Sequence, residues 1–188
     1  MKRFILVFTV NIALMLGFRV QAQEYVDLGL SVNWATYNVG ANNIEELGEK
    51  FVAGTTIKWQ KGRAKTNAVI HINGFSGNAE YDAATANWGQ GWRTPTRAEW
   101  EELIRRCKWK HNKLVLSNGT KINGAKITGP NGNSIFLHYT FKNMFTSYQT
   151  STPHKRNGLW VLYDGLCVYN IATWSDVGFY VRPVINKE

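Results

Sequence analysis

The spacing of apolar residues changes at Trp109, and this change restricts the chain to a fold with helices before it and antiparallel strands after it. Before that point, Thr96 and Glu99 form a capping-box pattern directly after Pro95. Apolar residues then recur at positions i, i+3, i+4 and i+7, namely Trp100, Leu103, Ile104 and Cys107. The pattern predicts an amphipathic helix whose apolar stripe faces the core.

A second, shorter helix is predicted between Asp82 and Gly89. Asp82 is a typical N-cap residue, alanines follow it, and Gly89 is a typical helix stop. The small side chains on this helix permit close packing. A single turn is predicted at 43–47.

After Trp109, short alternating apolar runs separated by turn residues predict antiparallel strands at 113–117, 120–122, 134–139, 159–163, 166–170 and 178–184. A two-residue Asp164-Gly165 turn would join the fourth and fifth of these. In that register Trp160 and Leu162 share a face with Tyr169 and Cys167, and because both faces are apolar we expect this hairpin at the centre of the sheet. Two helices followed by hairpins place the chain in the α+β class.

Composition indicates one folded domain. The chain has 188 residues, of which 44% are hydrophobic and 25 are aromatic. A chain this rich in aromatic residues buries enough apolar surface to offset its ordering entropy, which excludes intrinsic disorder. No repeat or linker divides residues 23–188, so we treat them as a single domain.

The first 22 residues are typical of a cleaved export signal. Lys2 and Arg3 precede an apolar run at 4–18, and Val20-Gln21-Ala22 offers small residues at the cleavage point. A membrane anchor is the alternative, but the run is shorter than the roughly 20 residues needed to cross a bilayer. We therefore expect residues 23–188 to be exported to the periplasm, cell surface or medium, with no membrane span after cleavage.

Basic residues exceed acidic ones. The formal charge is +9, and it falls to +6 when Lys2, Arg3 and Arg19 are removed with the signal. The Lys and Arg residues are scattered, with no phosphate-binding loop or recognition-helix pattern beside them. A basic face attracts nucleic acid or anionic glycans, but here the pattern favours an ordinary solvated surface and no nucleic-acid partner.

Several blocks in the chain carry a resemblance to a known family. They are the opening run at 25–36, Ala86-Asn87-Trp88-Gly89, the Trp92-Arg93-Thr94-Pro95 block with its helix, Gly129-Pro130-Asn131-Gly132, Ser151-Thr152-Pro153 and 178–184. In this order they resemble the Fibrobacter succinogenes major paralogous domain, a family of exported bacterial proteins. The Arg-x-Pro-Thr-x-x-Glu-Trp block is also similar to that of the formylglycine-generating, sulfatase-modifying enzymes. The resemblance implies a C-type lectin-like fold with adjacent termini.

The chain departs from these relatives where chemistry would be expected. Tyr37 and Gln149 replace a cysteine and an aromatic residue common in the family, and the segment 138–147 differs as well. The enzymes use a closely spaced cysteine pair, whereas Cys107 and Cys167 lie far apart here, so that activity does not transfer. These two cysteines either form a disulfide, if the core brings them together in an oxidising compartment, or remain buried thiols.

No other motif predicts an enzyme, a metal or a cofactor. The four histidines, at 71, 111, 138 and 154, lack partners at metal-ligand spacing. The acids Glu99, Glu101 and Glu102 lie on one helix rather than across a cleft. Calcium-dependent sugar binding needs acid and amide oxygens, and neither Gly129-Pro130-Asn131 nor Trp174-Ser175-Asp176 supplies the full set.

The remaining signal is surface recognition. Two stretches near the C-terminal strands are rich in aromatic and polar side chains that bind without catalysing. The predicted ligand-binding residues are Tyr148, Gln149, Lys155, Arg156, Asn170, Thr173, Trp174 and Asp176. We therefore expect a non-enzymatic recognition or adhesion domain for an unknown protein or glycan. The alternatives are a structural subunit of a surface assembly, an enzyme with an unrecognised site, or aromatics that merely cover a sheet edge.

Overall fold

A computed structural model describes residues 24–61, 73–138, 147–154, 158–163, 167–172 and 178–188. For residues 112, 154, 158–163 and 167–172 only the backbone is described. Two helices occur in these ranges, α1 (Ala83–Trp88) and α2 (Arg97–Arg106). The strands are β1 (Tyr25–Asp27), β2 (Val32–Ala35), β3 (Lys50–Val52), β4 (Trp92–Arg93), β5 (Lys108–Val115), β6 (Lys121–Thr128), β7 (Ser134–His138), β8 (Ser147–His154), β9 (Gly158–Tyr163), β10 (Cys167–Ala172), β11 (Gly178–Tyr180) and β12 (Val184–Asn186).

Both predicted helices are confirmed, together with the caps that delimit them. The Thr96 hydroxyl accepts a hydrogen bond from the Glu99 backbone N–H, and the Glu99 carboxylate accepts one from the Thr96 N–H at 2.7 Å. These two bonds satisfy N–H groups that the first turn of a helix leaves unpaired. Asp82 caps α1 by accepting from the Ala84 N–H at 2.9 Å, and Gly89 ends that helix.

The strands form three sheets with the orders β1-β2-β12-β4, β10-β9-β8-β11-β3 and β5-β6-β7. Four of the strands lie before Trp109, where the sequence pattern predicts only helices. These strands are two to four residues long, too short for a periodic signal in the sequence. In the third sheet, β5 begins directly after α2 and is longer than the predicted strand, because its pairing with β6 extends from Lys108 to Val115.

The predicted hairpin of β9 and β10 is present, but its register and position differ from the prediction. Tyr163 pairs with Cys167, so three residues rather than two separate the paired ends. A register shift of one residue moves every side chain of one strand to the opposite face relative to its partner. Trp160 and Leu162 therefore do not share a face with Tyr169, and that prediction is wrong. Among the described strands of this sheet β10 is an edge strand, and of the two hairpin strands β9 alone has a neighbour on both sides.

The predicted last strand, 178–184, divides into two strands that belong to different sheets. β11 lies between β8 and β3, and β12 lies between β2 and β4. The three residues between them carry the chain from one sheet to the other, and Pro183 has no N–H to donate to a ladder. The carbonyls of Val181 and Pro183 instead accept from the N–H groups of Val39 and Ala35, each at 3.0 Å.

The main core lies where α2 meets all three sheets. The Trp100 ring packs against Trp34 and Tyr148, with ring centroids 4.7 and 5.6 Å apart. Leu103 and Cys107 complete the buried stripe of α2, as the spacing predicts. The rest of this cluster comes from the sheets and comprises Leu28, Leu30, Val32, Ala125, Ile127, Ile135, Leu137 and Val184.

The described chain is therefore mostly β-sheet with two helices, in agreement with the predicted α+β class. Its two ends lie side by side, because β12 pairs with β2 and the Lys187 ammonium lies 2.7 Å from the Asp27 carboxylate. No helix in the described ranges is long and apolar enough to cross a membrane.

Candidate functional site

Two of the predicted ligand-binding residues lie in the protein interior. Tyr148 is 1% exposed and Gln149 is 0% exposed, because the segment expected to be a surface loop forms β8 in the middle of the five-stranded sheet. The prediction that these two side chains form a ligand surface is therefore wrong. Successive residues of a strand point to opposite faces, so the burial of both shows that β8 is covered on both faces. The local sequence does not reveal which parts of the chain cover it.

The other predicted ligand residues are not placed by the structure. Lys155, Arg156, Thr173, Trp174 and Asp176 lie outside the described residues. Asn170 lies in the edge strand β10, where only the backbone is described. Their role in binding stays a prediction.

Tyr148 belongs instead to a buried polar cluster around Arg182. The guanidinium donates to Asn38 Oδ1 at 2.8 Å, and to the carbonyls of Ala35 and Phe136 at 3.0 Å each. The Tyr148 hydroxyl donates to the His138 carbonyl at 3.2 Å. This cluster ties the crossing segment between β11 and β12 to β2 and β7, so its role is structural.

Burial sets the protonation states in this region. Burial, and to a smaller extent the charge of Arg182, lowers the pKa of His138 to about 4, so its imidazole is neutral at physiological pH. Burial also raises the pKa of Tyr148. Neither group is poised for acid–base catalysis near neutral pH.

Cys107 is buried and carries a free thiol in this structure. Burial raises its pKa to about 11, so the nucleophilic thiolate is scarce at neutral pH. At Cys107 the structure agrees with the alternative of buried thiols, and the side chain of Cys167 is not described. Among the described residues no three His, Cys, Asp or Glu side chains are grouped closely enough to hold a metal ion.

A cleft opens on the outer face of the four-stranded sheet, where the first and last strands of the described chain lie side by side. It has a volume of about 490 Å³. We call it the terminal cleft, and its lining residues are Tyr25, Asp27, Asn33, Ile185, Asn186, Lys187 and Glu188.

Strand pairing places these side chains together. Asp27 pairs with Asn33 on β2, and Asn33 pairs with Ile185 on β12. Directly paired residues lie on the same face of a sheet. Their neighbours Trp34 and Val184 lie on the other face and belong to the core. Side chains alternate along each of the three strands, so one set lies in the core and the other set lines the cleft.

The polar groups of the terminal cleft are held in place. The Asp27 carboxylate accepts from the Lys187 ammonium and from the Gly29 N–H, each at 2.7 Å. These two bonds, with Lys187 the larger contributor, hold the pKa of Asp27 below its ordinary value, so the group is ionised at neutral pH. Asn186 Oδ1 accepts from Arg93 Nη2 at 2.8 Å.

An aromatic row borders the same cleft. The Tyr25 side chain is 53% exposed, and its ring lies edge-on to Trp92 with the centroids 6.3 Å apart. Trp92 in turn packs against Trp88, and Trp88 against Tyr37, at 5.0 and 5.4 Å. The exposed ring of Tyr25 therefore packs at the end of a row of aromatic rings that are buried or half-buried.

Asn33 adds an incomplete hydrogen-bonding group. Its side chain is 8% exposed, and Oδ1 is buried without a hydrogen-bond partner. An unpaired buried acceptor costs free energy that a protein normally avoids. Asn33 lines the terminal cleft, and the terminal amide torsion of an asparagine is soft, so the amide is free to adjust to a ligand there.

Sequence reasoning did not identify this site. Tyr25, Asp27 and Asn33 fall within the opening block of the family resemblance, but the strands there are three and four residues long. The only local signal is their alternation with apolar residues. Their partner β12 lies about 150 residues further along the chain, a pairing that no local pattern predicts.

Comparisons of the chain with protein-family models, curated proteins and solved structures find no match.

Proposed function

We propose that this protein is an exported, non-enzymatic recognition domain with a C-type lectin-like fold, and that it binds a glycan in the terminal cleft. The observation that carries the proposal is the half-exposed Tyr25 ring in a cleft whose other side chains are mainly short amides and charged groups. The proposed ligand site is therefore the terminal cleft, and not the C-terminal loops that the sequence indicates.

The aromatic row supports sugar binding. The apolar face of a sugar ring packs on an exposed aromatic ring, while the hydroxyls around its rim need hydrogen-bond partners. Tyr25 offers such a ring, and its contact with Trp92 limits the entropy lost when a ligand orders it.

The amides supply the partners for the hydroxyls. Asn33 has an unsatisfied acceptor, and the Asn186 oxygen already accepts from Arg93. A sugar hydroxyl both donates and accepts, so it can complete the bond that Asn33 lacks. A purely apolar ligand would leave this group unpaired.

The electrostatics of the cleft favour binding over hydrolysis. Glycosidases need one carboxyl group with a raised pKa as the proton donor. Asp27 is exposed, paired with Lys187 and shifted in the opposite direction. The second carboxylate in the cleft, Glu188, lies next to the same lysine in the sequence.

The experiment is a glycan-array screen of the purified protein, followed by calorimetry on each hit with and without calcium. We expect Tyr25→Ala to weaken binding by roughly tenfold, the worth of one aromatic contact of about 1.4 kcal/mol. Val115→Ala removes an equally exposed apolar side chain on another sheet and serves as the matched control.

A third variant separates the two locations for the ligand. If Trp174→Ala abolishes binding and Tyr25→Ala does not, the ligand binds the C-terminal loops and the terminal cleft is the wrong site. If the array stays silent and a panel of surface proteins gives a partner through Tyr25, the cleft is right and the ligand class is wrong.

One observation favours a second candidate, a structural subunit of a surface assembly. In the described part of the five-stranded sheet β10 is an edge strand of six residues, and its sequence contains no charge and no proline. Such an edge pairs readily with a strand from another chain. Sedimentation analysis tests this candidate: Val168→Lys should disrupt an assembly built through β10 and leave a monomer unchanged.

A further inference from the structure

The outer face of the three-stranded sheet gathers lysines that look scattered in the sequence. Lys110 pairs with Lys126 directly across β5 and β6, and Lys108 lies two residues from Lys110 on β5. Directly paired residues, and residues two apart on a strand, share a face. We call these three lysines the basic sheet face. It shares no residue with the terminal cleft.

The part of this face that carries the three lysines points away from the main core, whereas its β7 side is covered, because Phe136 and His138 there are 6% and 2% exposed. The alternate residues of β6 and β7, among them Ala125, Ile127 and Ile135, belong to the main buried cluster on the opposite side. All three lysines are exposed. None of the ion pairs formed among the described residues involves them.

The charge balance of this region is one-sided. No Asp or Glu occurs between Glu102 and Asp164, a stretch that contains ten of the 22 Lys and Arg residues of the chain. The lysines of the face are separated by about 5 Å across the strands and about 7 Å along them. These spacings are shorter than the Debye length of about 8 Å at physiological salt, so their fields add.

The stability of the sheet does not explain this arrangement. Like charges that lie directly opposite each other destabilise a pair of strands. Lys110 and Lys126 occupy such a position, and no acidic side chain in the described ranges pairs with either of them. An anionic partner would convert their repulsion into attraction. The pair therefore points to a ligand.

We propose that the basic sheet face is a docking surface for an acidic polysaccharide. Ammonium groups attract carboxylates or sulfates. Thr128 pairs with Lys108 and Ser134 pairs with Thr128, so their hydroxyls lie beside the lysines and can bond to sugar hydroxyls. A cleft of about 270 Å³, lined by Lys126, Phe136 and Leu114 among others, lies at the same sheet. Its size suits one sugar unit rather than a long segment.

The chemistry of the face favours a polysaccharide over nucleic acid. Binding of single strands relies on exposed aromatic rings on which bases stack, and the Phe136 ring on this sheet is only 6% exposed. Reading of a duplex uses a helix or ribbon in a groove and planar, bidentate side chains such as Arg. Lysines on a sheet face act as point charges and recognise the acid groups of the chain.

The experiment measures binding of the purified protein to heparin and to polygalacturonate, as sulfated and carboxylated probes, over a range of salt concentrations. Dextran serves as the neutral probe and a short DNA duplex as the competing polyanion. The test variant is Lys110→Gln/Lys126→Gln. The control is Lys58→Gln/Lys61→Gln, which removes the same charge from exposed lysines elsewhere.

We expect the test variant to bind the acidic polysaccharides about tenfold more weakly than the control. The slope of log affinity against log salt concentration should also become shallower, by the equivalent of about two neutralised charges. Its melting temperature should equal or exceed that of the parent, because a repulsive pair has been removed. The Tyr25→Ala variant should bind these probes normally, so failure here is distinguishable from failure of the glycan site in the terminal cleft.

Three results would overturn the proposal. One is the absence of binding to both acidic probes at about 50 mM salt, where charge attraction is strong. Another is an equal loss in the test and control variants, which would show that net charge alone is responsible. The third is tighter binding to the DNA duplex than to either polysaccharide, which would assign the face to nucleic acid.

Discussion

Replacing Arg182 tests whether the crossing between β11 and β12 is fixed by hydrogen bonds from a buried guanidinium. Arg182 is fully buried, and its three described acceptors lie at 2.8, 3.0 and 3.0 Å without a carboxylate among them. In Arg182→Met the side chain keeps much of its length but donates nothing. Asn38 Oδ1 and the Ala35 and Phe136 carbonyls then lose a charge-assisted bond.

The expected loss follows from two opposing contributions. Hydrogen bonds to a charged group contribute about 1.5–3 kcal/mol each. Removing the buried charge relieves a desolvation cost of several kcal/mol. We expect a net loss of about 3–5 kcal/mol, a large part of the 5–15 kcal/mol that stabilises a typical domain. For a chain of this length each kcal/mol lowers the melting temperature by about 2–4 °C.

The assay is urea unfolding followed by tryptophan fluorescence, with Arg182→Lys as the matched variant. Lysine keeps the buried charge but cannot present donors in a planar fork to three acceptors. We therefore expect Arg182→Lys to be at least as destabilising as Arg182→Met. A loss below about 1 kcal/mol for methionine, or recovery of stability by lysine, would refute the reasoning.

Three further predictions follow from burial. The pKa of His138 falls from an ordinary value of 6.5 to about 4 in the folded protein. Between pH 6.5 and pH 4, His138 is therefore protonated in the unfolded chain but neutral in the folded one. Unfolding in urea should therefore become easier by about 3 kcal/mol between pH 7 and pH 4, and a His138→Gln variant should lose this contribution. In Gly124→Ala the new Cβ would overlap the Phe136 ring, so calorimetry should show a loss of about 1–3 kcal/mol. Iodoacetamide should not label Cys107 in the folded protein at pH 7, because its thiol is buried and its pKa is raised. After unfolding without reductant, mass spectrometry should find two labelled thiols if Cys107 and Cys167 are free, and none if they are bridged.

The helices were predictable because their signals are local. The hydrogen bonds that begin α2 join Thr96 to Glu99, three residues apart, and its buried stripe repeats every three or four residues. The same holds for the turns at 117–119 and 129–132, which carry glycine and asparagine, but not for the strands beside them, since β5 begins at Lys108 rather than 113 and β6 ends at Thr128 rather than 122. Caps and turns depend on neighbouring residues, so one sequence suffices to place them.

The candidate site was not predictable in the same way. The terminal cleft joins residues from β1 and β2 to residues from β12, which lie about 150 positions apart in the sequence. Of the eight residues chosen from sequence, Tyr148 and Gln149 have the chemistry of a binding loop but lie in a central strand. Exposure depends on what packs against a segment, and no pattern within the segment contains that information.

The sequence by itself determined the α+β character of the protein, the caps of both helices and the inward stripe of α2. Only the tertiary structure decided that 178–184 divides between two sheets, that β1, β2 and β12 form one cleft, and that Lys110 faces Lys126. The physical reason is the range of the interactions. Helix caps and turns are settled by bonds between residues a few positions apart, whereas strand order, register and exposure are settled by contacts between residues that are distant in the chain.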